Sequence, residues 1–253
     1  MKNEGAIFLL AVQFMTRLPI ASDKLYTPER LNAAARYYPL VGLLVGGICA
    51  GSFWGLLFMF PIPLAVLLST TIGLLVTGAF HEDGLADTFD GLGGGHTREQ
   101  ALTIMKDSRL GTYGTLALVT VLAIKVATLS SLPTAQIIIA LVAAHGLSRL
   151  SSVIVILTSQ YARENGTAKP VASGLSLAGA LTALTVGALA LAGAALFAPA
   201  AALLWASSGM VIGHIGMRLM FERKLGGYTG DTLGAVQQVS ELGFYLGWLA
   251  WLS

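Results

Sequence analysis

Charge is what this chain has least of. Only 11% of its 253 residues are Asp, Glu, Lys or Arg, whereas 55% are hydrophobic, and the mean hydropathy is +0.75. Because soluble globular domains carry about 25% charged residues, this composition excludes a soluble protein and predicts a polytopic membrane protein. The net charge of +2 is small, and no nucleic acid is expected among its partners.

Cysteine is almost absent too. The single one, Cys49, excludes an intramolecular disulfide, and because it lies in an apolar stretch we interpret it as a small buried hydrophobe. The first residues lack the apolar core and small-residue cleavage site of a secretory signal, so we expect the chain to keep them. Without a soluble domain or repeat, residues 1–253 are interpreted as one integral-membrane domain, with a cytoplasmic or interfacial segment over 1–38 and a transmembrane bundle over 39–253.

Apolar runs of about 20 residues, the length that crosses a bilayer core, can be placed seven times. They predict an all-α bundle of about seven transmembrane helices, over residues 39–60, 61–80, 113–131, 134–158, 176–196, 198–220 and 235–252. The seventh is the weakest because it carries two glutamines and Glu241. Residues 1–20 are too interrupted for a span, and they predict either an amphipathic helix on the membrane surface or a helix packed under the bundle.

Basic residues lie on one side of this predicted bundle. All but two of the 15 Lys and Arg fall in residues 1–38 or in the connections after the second, fourth and sixth spans. If the seven spans alternate, these segments share one side of the membrane, which the positive-inside rule assigns to the cytoplasm. The N-terminus and the polar loops are therefore predicted to be cytoplasmic.

Four carboxylates stand close together in "GAFHEDGLADTFDGLGGGH", residues 78–96, at the end of the second predicted span. Asp83, Asp87 and Asp90 are spaced i, i+4 and i+7, which places them on one face if a helix continues past His81. Like charges so close together require a cation, and oxygen ligands suit Mg²⁺, with Mn²⁺ as an alternative. We predict a metal site here rather than a solvated acidic helix end, with ligands Asp83, Asp87, Asp90 and Glu82.

Three further loops on the same side combine charges with glycines: "MKDSRLGTYG" (105–114), "SQYARENG" (159–166) and "RKLGGYTGDTLGA" (223–235). Glycine lets the backbone approach a phosphate closely. Carboxylates, a divalent metal and cations together predict phosphoryl transfer from a pyrophosphate substrate to an alcohol. "GLGGGH" is neither a P-loop nor a dinucleotide fingerprint, because the lysine and the strand-turn-helix context are missing.

The blocks "GAFHEDGLADTFDG", "IMKDSRLGTYG" and "KLGGYTGDTLGA", in this order and with "QFMTRLPI" near the start, resemble the adenosylcobinamide-GDP ribazoletransferase (cobalamin synthase) family over essentially the whole chain. The resemblance implies a Mg²⁺-dependent enzyme of the bacterial inner membrane that acts late in coenzyme B12 biosynthesis. The implied reaction joins adenosylcobinamide-GDP to α-ribazole or its 5′-phosphate, gives adenosylcobalamin or its 5′-phosphate, and releases GMP. Its partners are these small molecules, with association with other enzymes of the pathway left open.

On this resemblance, the metal ligands are expected to bind the diphosphate of adenosylcobinamide-GDP through Mg²⁺. The candidate catalytic carboxylates are Asp90, Asp107 and Asp231; Asp107 or Asp231 would complete the metal shell or act as general base on the ribose hydroxyl of α-ribazole, and the sequence does not choose between them. Arg149, inside the fourth span, is expected either to reach the substrate or to be a buried structural partner of Glu241 or of a backbone carbonyl. The other candidate phosphate ligands are Lys106, Arg163, Lys224 and, first because of its planar fork, Arg109.

Two other functions compete with this interpretation. CDP-alcohol phosphotransferases of lipid synthesis share the chemistry, and Asp87, Asp90 and Gly91 match the start of their DxxDGxxAR motif, but glycines replace its Ala and Arg. An ion transporter would place carboxylates near the bilayer midplane, whereas all but one of the 13 Asp and Glu lie at the cytoplasmic boundary or beyond. The first predicted span also contains glycines at a spacing of four, which predict either tight packing within the chain or a homodimer seam: Gly42 and Gly46, then Gly47, Gly51 and Gly55.

Overall fold

The structure is a computed structural model, and it describes residues 4–20, 25–163 and 175–253. Within these ranges the chain is helical apart from turns, loops and an isolated bridge between Tyr161 and Tyr228, so the predicted all-α fold is confirmed. A 3₁₀ turn (Ala35–Tyr37) joins the second helix to the third. The helices are α1 (Glu4–Met15), α2 (Pro28–Ala34), α3 (Tyr38–Leu56), α4 (Ile62–Thr77), α5 (Phe80–Gly94), α6 (Arg98–Ile104), α7 (Thr112–Ser130), α8 (Thr134–Thr158), α9 (Leu177–Ala195), α10 (Ala200–Leu225) and α11 (Gly230–Leu252).

Several of these helices make the chain a multi-pass membrane protein, but the prediction of seven spans is wrong in number. In the described part of the chain, five segments are long and apolar enough to cross a membrane: the continuous stretch from α2 through α3, then α7, α8, α9 and α10. A sixth is added if the bent pair α4 and α5 counts as one span. With 16 residues, α4 is shorter than the roughly 20 that cross a bilayer core, and α11 is too polar because Gln237, Gln238 and Glu241 lie within it.

A bend of 89° separates α4 from α5. Gly78 (φ +65°) and Ala79 (φ +55°) both adopt the left-handed conformation there, which glycine tolerates and alanine does not favour. The Arg17 backbone N–H donates to the Val76 carbonyl at 2.7 Å, and the Arg17 side chain lies where a Cβ on Gly78 would stand. The segment after α1 therefore braces the bend, and α5 leaves the direction of α4 instead of continuing it.

The helix α11 lies at the centre of the bundle, where it packs against α5, α7, α8 and α10. Its contact with α10 is backbone to backbone. A Cβ on Gly213 would lie 2.6 Å from the Val239 carbonyl oxygen, and one on Gly243 would meet the Gly209 carbonyl. These small residues let the two helices approach closely, so α11 is enclosed by the helices around it.

The glycines of α3 fall into two groups. Gly42 and Gly46 face α8, and a Cβ on Gly46 would lie 2.8 Å from the Leu141 carbonyl oxygen, so this group serves packing within the chain. The outer group, Gly47, Gly51 and Gly55, has no described atom within 4 Å of where a Cβ would stand. The homodimer seam stays a prediction for this outer group.

The N-terminal helix α1 packs against the bundle. Six of its 12 residues are buried, including Ile7, Ala11 and Met15, which belong to the hydrophobic core. Of the two interpretations of this segment, the structure thus favours a helix packed on the bundle over one that lies only on the membrane surface.

Candidate functional site

Three carboxylates are near enough to interact electrostatically where α5 crosses the start of α11. Asp83 and Asp87 lie on α5, and Asp231 lies in the first turn of α11. The crossing is close because it uses glycines: a Cβ on Gly84 would lie 2.7 Å from the Asp231 carbonyl oxygen, and one on Gly234 would lie 2.9 Å from that of His81. We call Asp83, Asp87, Asp231 and the neighbouring Arg163 the carboxylate face.

Electrostatic repulsion marks the carboxylate face. Asp83 is exposed and Asp87 is half-buried. Burial, followed by the charges of Asp83 and Asp231, raises the pKa of Asp87 to about 7, while Arg163 acts in the opposite direction. Burial also raises the pKa of Asp231, although Arg163 and Thr229 lower it in part. The face therefore holds more negative charge than its one cation neutralises, and a bound dication would relieve this.

Arg163 is positioned by two loops that pair with each other. The Ala162 N–H donates to the Tyr228 carbonyl and the Tyr228 N–H donates to the Gln160 carbonyl, both at 2.8 Å. From this pairing Arg163 Nη2 reaches Asp231 Oδ2 at 2.8 Å, and its side chain is only 12% exposed. Its Nε has no hydrogen-bond partner among the described residues, so the guanidinium retains a donor for a bound anion.

The carboxylate of Asp90 binds backbone N–H groups at the start of α7. Its Oδ2 accepts from the Gly111 N–H at 2.7 Å and its Oδ1 accepts from the Gly114 N–H at 2.8 Å. These are N–H groups of the first turn of α7, which have no acceptor within their own helix, and a carboxylate there is favoured by the helix dipole. A Cβ on either glycine would meet the carboxylate. Asp90 thus caps α7 from α5, although it was predicted as a catalytic and metal-binding residue.

The loop between α6 and α7 carries three predicted site residues that do not join the carboxylate face. Lys106 is exposed, and Arg109 pairs with Asp107, with Nη2 at 2.6 Å from Oδ2. This pairing lowers the pKa of Asp107 to about 2. Since the side chain of Arg109 is 88% exposed, the pair lies in solvent.

Glu82 and Arg149 face a second polar region, inside the bundle. There they border a cavity of about 30 Å³, together with Lys125, Gln238 and Glu241, and we call this region the polar cavity. Gln238 Nε2 donates to Glu82 Oε1 at 2.8 Å, and Arg149 Nη1 donates to the His145 carbonyl at 2.9 Å. Glu82 therefore lies apart from the other predicted metal ligands, and the residue that pairs directly with Glu241 is Lys125, at 2.9 Å.

Two cations tie the polar loops to one another. Lys224, a predicted phosphate ligand, donates from Nζ to the His96 carbonyl at 3.1 Å. Arg98, which the sequence analysis missed, donates from Nε to the Leu225 carbonyl at 2.8 Å and from Nη2 to the Ala162 carbonyl at 2.6 Å. The sequence gives little indication of this role of Arg98, because both acceptors are backbone carbonyls far from it in the chain.

The carboxylate face fits a divalent cation by its chemistry. In the ranges that the structure describes, no three carboxylate, imidazole or thiol groups are placed close enough to hold a metal ion by themselves. Asp83, Asp87 and Asp231 nevertheless offer the hard oxygen ligands that Mg²⁺ prefers, and burial, followed by their repulsion, raises the pKa of Asp87. Mg²⁺ usually binds through one or two carboxylates plus substrate phosphates, so this donor set suits a metal that arrives with a phosphate substrate.

Comparisons with known proteins agree over nearly the whole chain. A family model described as cobalamin-5-phosphate synthase matches residues 7–249. A protein of Leptothrix cholodnii named adenosylcobinamide-GDP ribazoletransferase is 48% identical, over 98% of this chain and 96% of its own length. Proteins with the same name from Shewanella frigidimarina and Shewanella woodyi are 45% and 41% identical, over 95% and 97% of this chain and 92% and 96% of theirs. No solved structure matches the chain.

Proposed function

The chain belongs to the cobalamin-5-phosphate synthase family and is a transferase of cobalamin biosynthesis embedded in a membrane, and we propose that its reaction takes place at the carboxylate face. It joins adenosylcobinamide-GDP to α-ribazole or its 5′-phosphate and releases GMP, as the names of its relatives imply. Family membership selects this reaction over CDP-alcohol transfer in lipid synthesis and over ion transport.

The reaction needs charge stabilisation and a base. A ribose hydroxyl oxygen attacks the phosphorus that carries the corrinoid, the bond from that phosphorus to the GMP oxygen breaks, and the hydroxyl proton passes to a base. Phosphoryl transfer is catalysed by cations on the diphosphate and by a group that takes the proton. The observation that supports this location is the meeting of Asp83, Asp87 and Asp231 beside Arg163, whose Nε is unpaired among the described residues.

Roles follow from what each side chain already contacts. Asp83 and Asp87 would hold Mg²⁺, with Mn²⁺ as an alternative, and the bound cation would neutralise the diphosphate. Asp231 is favoured over Asp107 as the base because it lies with Asp83 and Asp87, whereas Asp107 is engaged by Arg109 in solvent. Arg163 would bind a phosphate oxygen.

Turnover by the purified protein tests this proposal. In detergent, with adenosylcobinamide-GDP, α-ribazole 5′-phosphate and Mg²⁺, GMP release is expected, and EDTA should reduce it by roughly 100-fold or more because the diphosphate charge is no longer neutralised. Excess Mg²⁺ should restore it. Full turnover in EDTA would reject the metal, and no turnover in a folded preparation supplied with Mg²⁺ would reject the location and the function together.

We also propose that the carboxylate face lies on the cytoplasmic side of the bacterial inner membrane. Arg163 lies on this face, and Arg98 and Lys224 lie in the polar loops that they tie to one another. Basic loops are retained in the cytoplasm. The side chain of Glu99 on α6 is 76% exposed, while Cys49 is buried. A membrane-impermeant maleimide should therefore label a Glu99→Cys variant in inside-out vesicles and spare it in right-side-out vesicles; labelling with the opposite preference would invert the topology.

A further inference from the structure

A cleft lined mainly by aromatic and aliphatic side chains, with His81 and Ser152 as its other polar residues beside Tyr38, opens beside the carboxylate face. Its walls, which we call the aromatic cleft, include Phe14 and Met15 of α1, Tyr38 of α3, Phe80 of α5, and Gly230 and Leu233 of α11. Its cavity volume is about 40 Å³, similar to the 30 Å³ of the polar cavity, and the cleft is open on one side. Because Gly230 directly precedes Asp231, and Phe80 lies one helical turn before Asp83, the cleft and the carboxylate face are adjacent parts of one surface.

Three aromatic rings shape this cleft. Phe14 lies parallel to Tyr38, with ring centroids 6.1 Å apart, and meets Phe80 edge to face at 5.3 Å. Phe80 is 42% exposed although it is a large apolar side chain. Planar aromatic guests gain both apolar burial and favourable ring geometry against such walls, so the cleft suits a flat ring system better than a sugar or a phosphate.

One of the side chains that line the cleft, Tyr38, has a hydroxyl without a partner among the described residues. Tyr38 is 4% exposed, and its hydroxyl makes no hydrogen bond to any residue that the structure describes. A buried hydroxyl without a partner costs free energy, so an occupant that accepts a hydrogen bond is favoured over a purely apolar one. A lipid acyl chain could fill the space but could not accept this hydrogen bond.

We propose that the aromatic cleft binds the benzimidazole base of α-ribazole, and that the Tyr38 hydroxyl donates to the unsubstituted ring nitrogen of that base. The inference rests on the proposed function, since it assigns a subsite to the acceptor of that reaction. With the base in the cleft, the attached ribose lies toward Asp231, the carboxylate assigned to take its proton. The cleft also gives a role to the "QFMTRLPI" segment, which supplies Phe14 and Met15 and is anchored at the α4–α5 bend by Arg17.

Acceptor kinetics test this subsite. The assay compares α-ribazole 5′-phosphate with its indole analogue, in which the free ring nitrogen is replaced by CH. For the unmodified protein the analogue should have a KM about three- to tenfold higher, the usual effect of one neutral hydrogen bond. Tyr38→Phe should raise the KM for the natural acceptor by the same factor and abolish the difference between the two acceptors, with KM for adenosylcobinamide-GDP unchanged.

Two phenylalanine variants complete the test. Phe14→Ala should raise KM roughly tenfold for both acceptors, because it removes apolar contact and leaves the Tyr38 hydroxyl in place. Phe58→Ala is the matched control, since Phe58 is 79% exposed and lies past the opposite end of α3.

Each contrary outcome is distinct. If the unmodified protein does not discriminate between the two acceptors, or if Tyr38→Phe changes only the KM for adenosylcobinamide-GDP, the base binds elsewhere. If Phe14→Ala alters only the dependence of activity on lipid composition, the cleft holds a lipid. Failure of the proposed function would appear earlier, as absence of turnover by the unmodified protein with both natural substrates.

Discussion

Replacing Asp87 by asparagine should lower kcat about 1,000-fold while the protein remains folded. Asp87 interacts electrostatically with both Asp83 and Asp231 on the carboxylate face. The amide of asparagine can neither neutralise nor hold a divalent cation as a carboxylate does. Removing one preorganised electrostatic contact to a transition state costs about 100- to 1,000-fold in kcat, and the upper value applies where a metal is lost with it. Single-turnover release of GMP, measured at saturating substrates and Mg²⁺, gives the comparison.

Although Asp87→Asn lowers activity, it should leave the thermal stability of the protein unchanged or raise it. Because the pKa of Asp87 is raised to about 7 from an ordinary value of 3.8, the metal-free folded state binds more protons than the unfolded state between these pH values. Ionisation of Asp87 therefore destabilises the fold as the pH rises through this range. Asparagine resembles the protonated form, so Asp87→Asn should unfold at the same or a higher temperature than the unmodified protein at pH 8 without metal.

Asp107→Asn is the matched control for Asp87→Asn. Asp107 contacts Arg109 in solvent and no described residue of the carboxylate face, so kcat should stay within about threefold, in line with the small effects of exposed ion pairs. If Asp107→Asn abolished turnover and Asp87→Asn preserved it, the catalytic centre would have to be assigned to the loop between α6 and α7.

Breaking the ion pair between Lys125 and Glu241 should destabilise the protein by about 3–5 kcal/mol, the cost of leaving one buried charge without its partner. Lys125 Nζ lies 2.9 Å from Glu241 Oε1, and the two side chains are only 6% and 1% exposed. Glu241 also accepts a hydrogen bond from Gln237 Nε2 at 2.6 Å. Removing the Glu241 carboxylate therefore deprives more than one group of its partner. Unfolding of Glu241→Gln in mixed detergent micelles, followed by circular dichroism, measures the loss.

A double-mutant cycle separates the ion pair from general disruption. Lys125→Met combined with Glu241→Gln removes both charges of the pair, and this variant should be more stable than either single variant because neither Lys125 nor Glu241 is left without its partner. If the two single losses simply add, the pair contributes little and the losses come from packing.

The hydropathy pattern predicted the helices well but not their number of crossings. It placed a span over 61–80, whereas the helix ends at Thr77 because Gly78 and Ala79 take the left-handed conformation. Nothing in the composition of "TGAF" marks that bend, which depends on the Arg17 segment packed against it. The last span was predicted as the weakest because of its two glutamines and Glu241, and in the structure α11 is enclosed by protein with these three side chains buried.

The helical spacing of the acid cluster was predictable, but its neighbours were not. Periodicity places Asp83 and Asp87 on one face, and the structure has both on α5. Glu82 is one residue and about 100° away on the helix, and it turns into the polar cavity. Asp231 approaches Asp83 and Asp87 because Gly84 and Gly234 meet where α5 and α11 cross. These helices are far apart in the sequence, and a single sequence does not reveal such a crossing.

The sequence contains a signal that could have predicted the capping role of Asp90. Two glycines three residues apart, Gly111 and Gly114, open α7, and both backbone N–H groups donate to its carboxylate. Glycines at a helix start are typical of sites where a side chain approaches the backbone, so they could have indicated a cap from elsewhere in the chain.

The polarity of α11 has a consequence for how the protein is made. A segment with two glutamines and a glutamate at its middle partitions poorly from the translocon into lipid. Its partners α7, α8 and α10 precede it in the chain, so they leave the ribosome and enter the bilayer first. Lys125 on α7 then offers the charge that Glu241 needs. For this helix, insertion into the membrane is therefore expected to be coupled to docking against its neighbours, and a chain that stops before α11 leaves Lys125 without its partner.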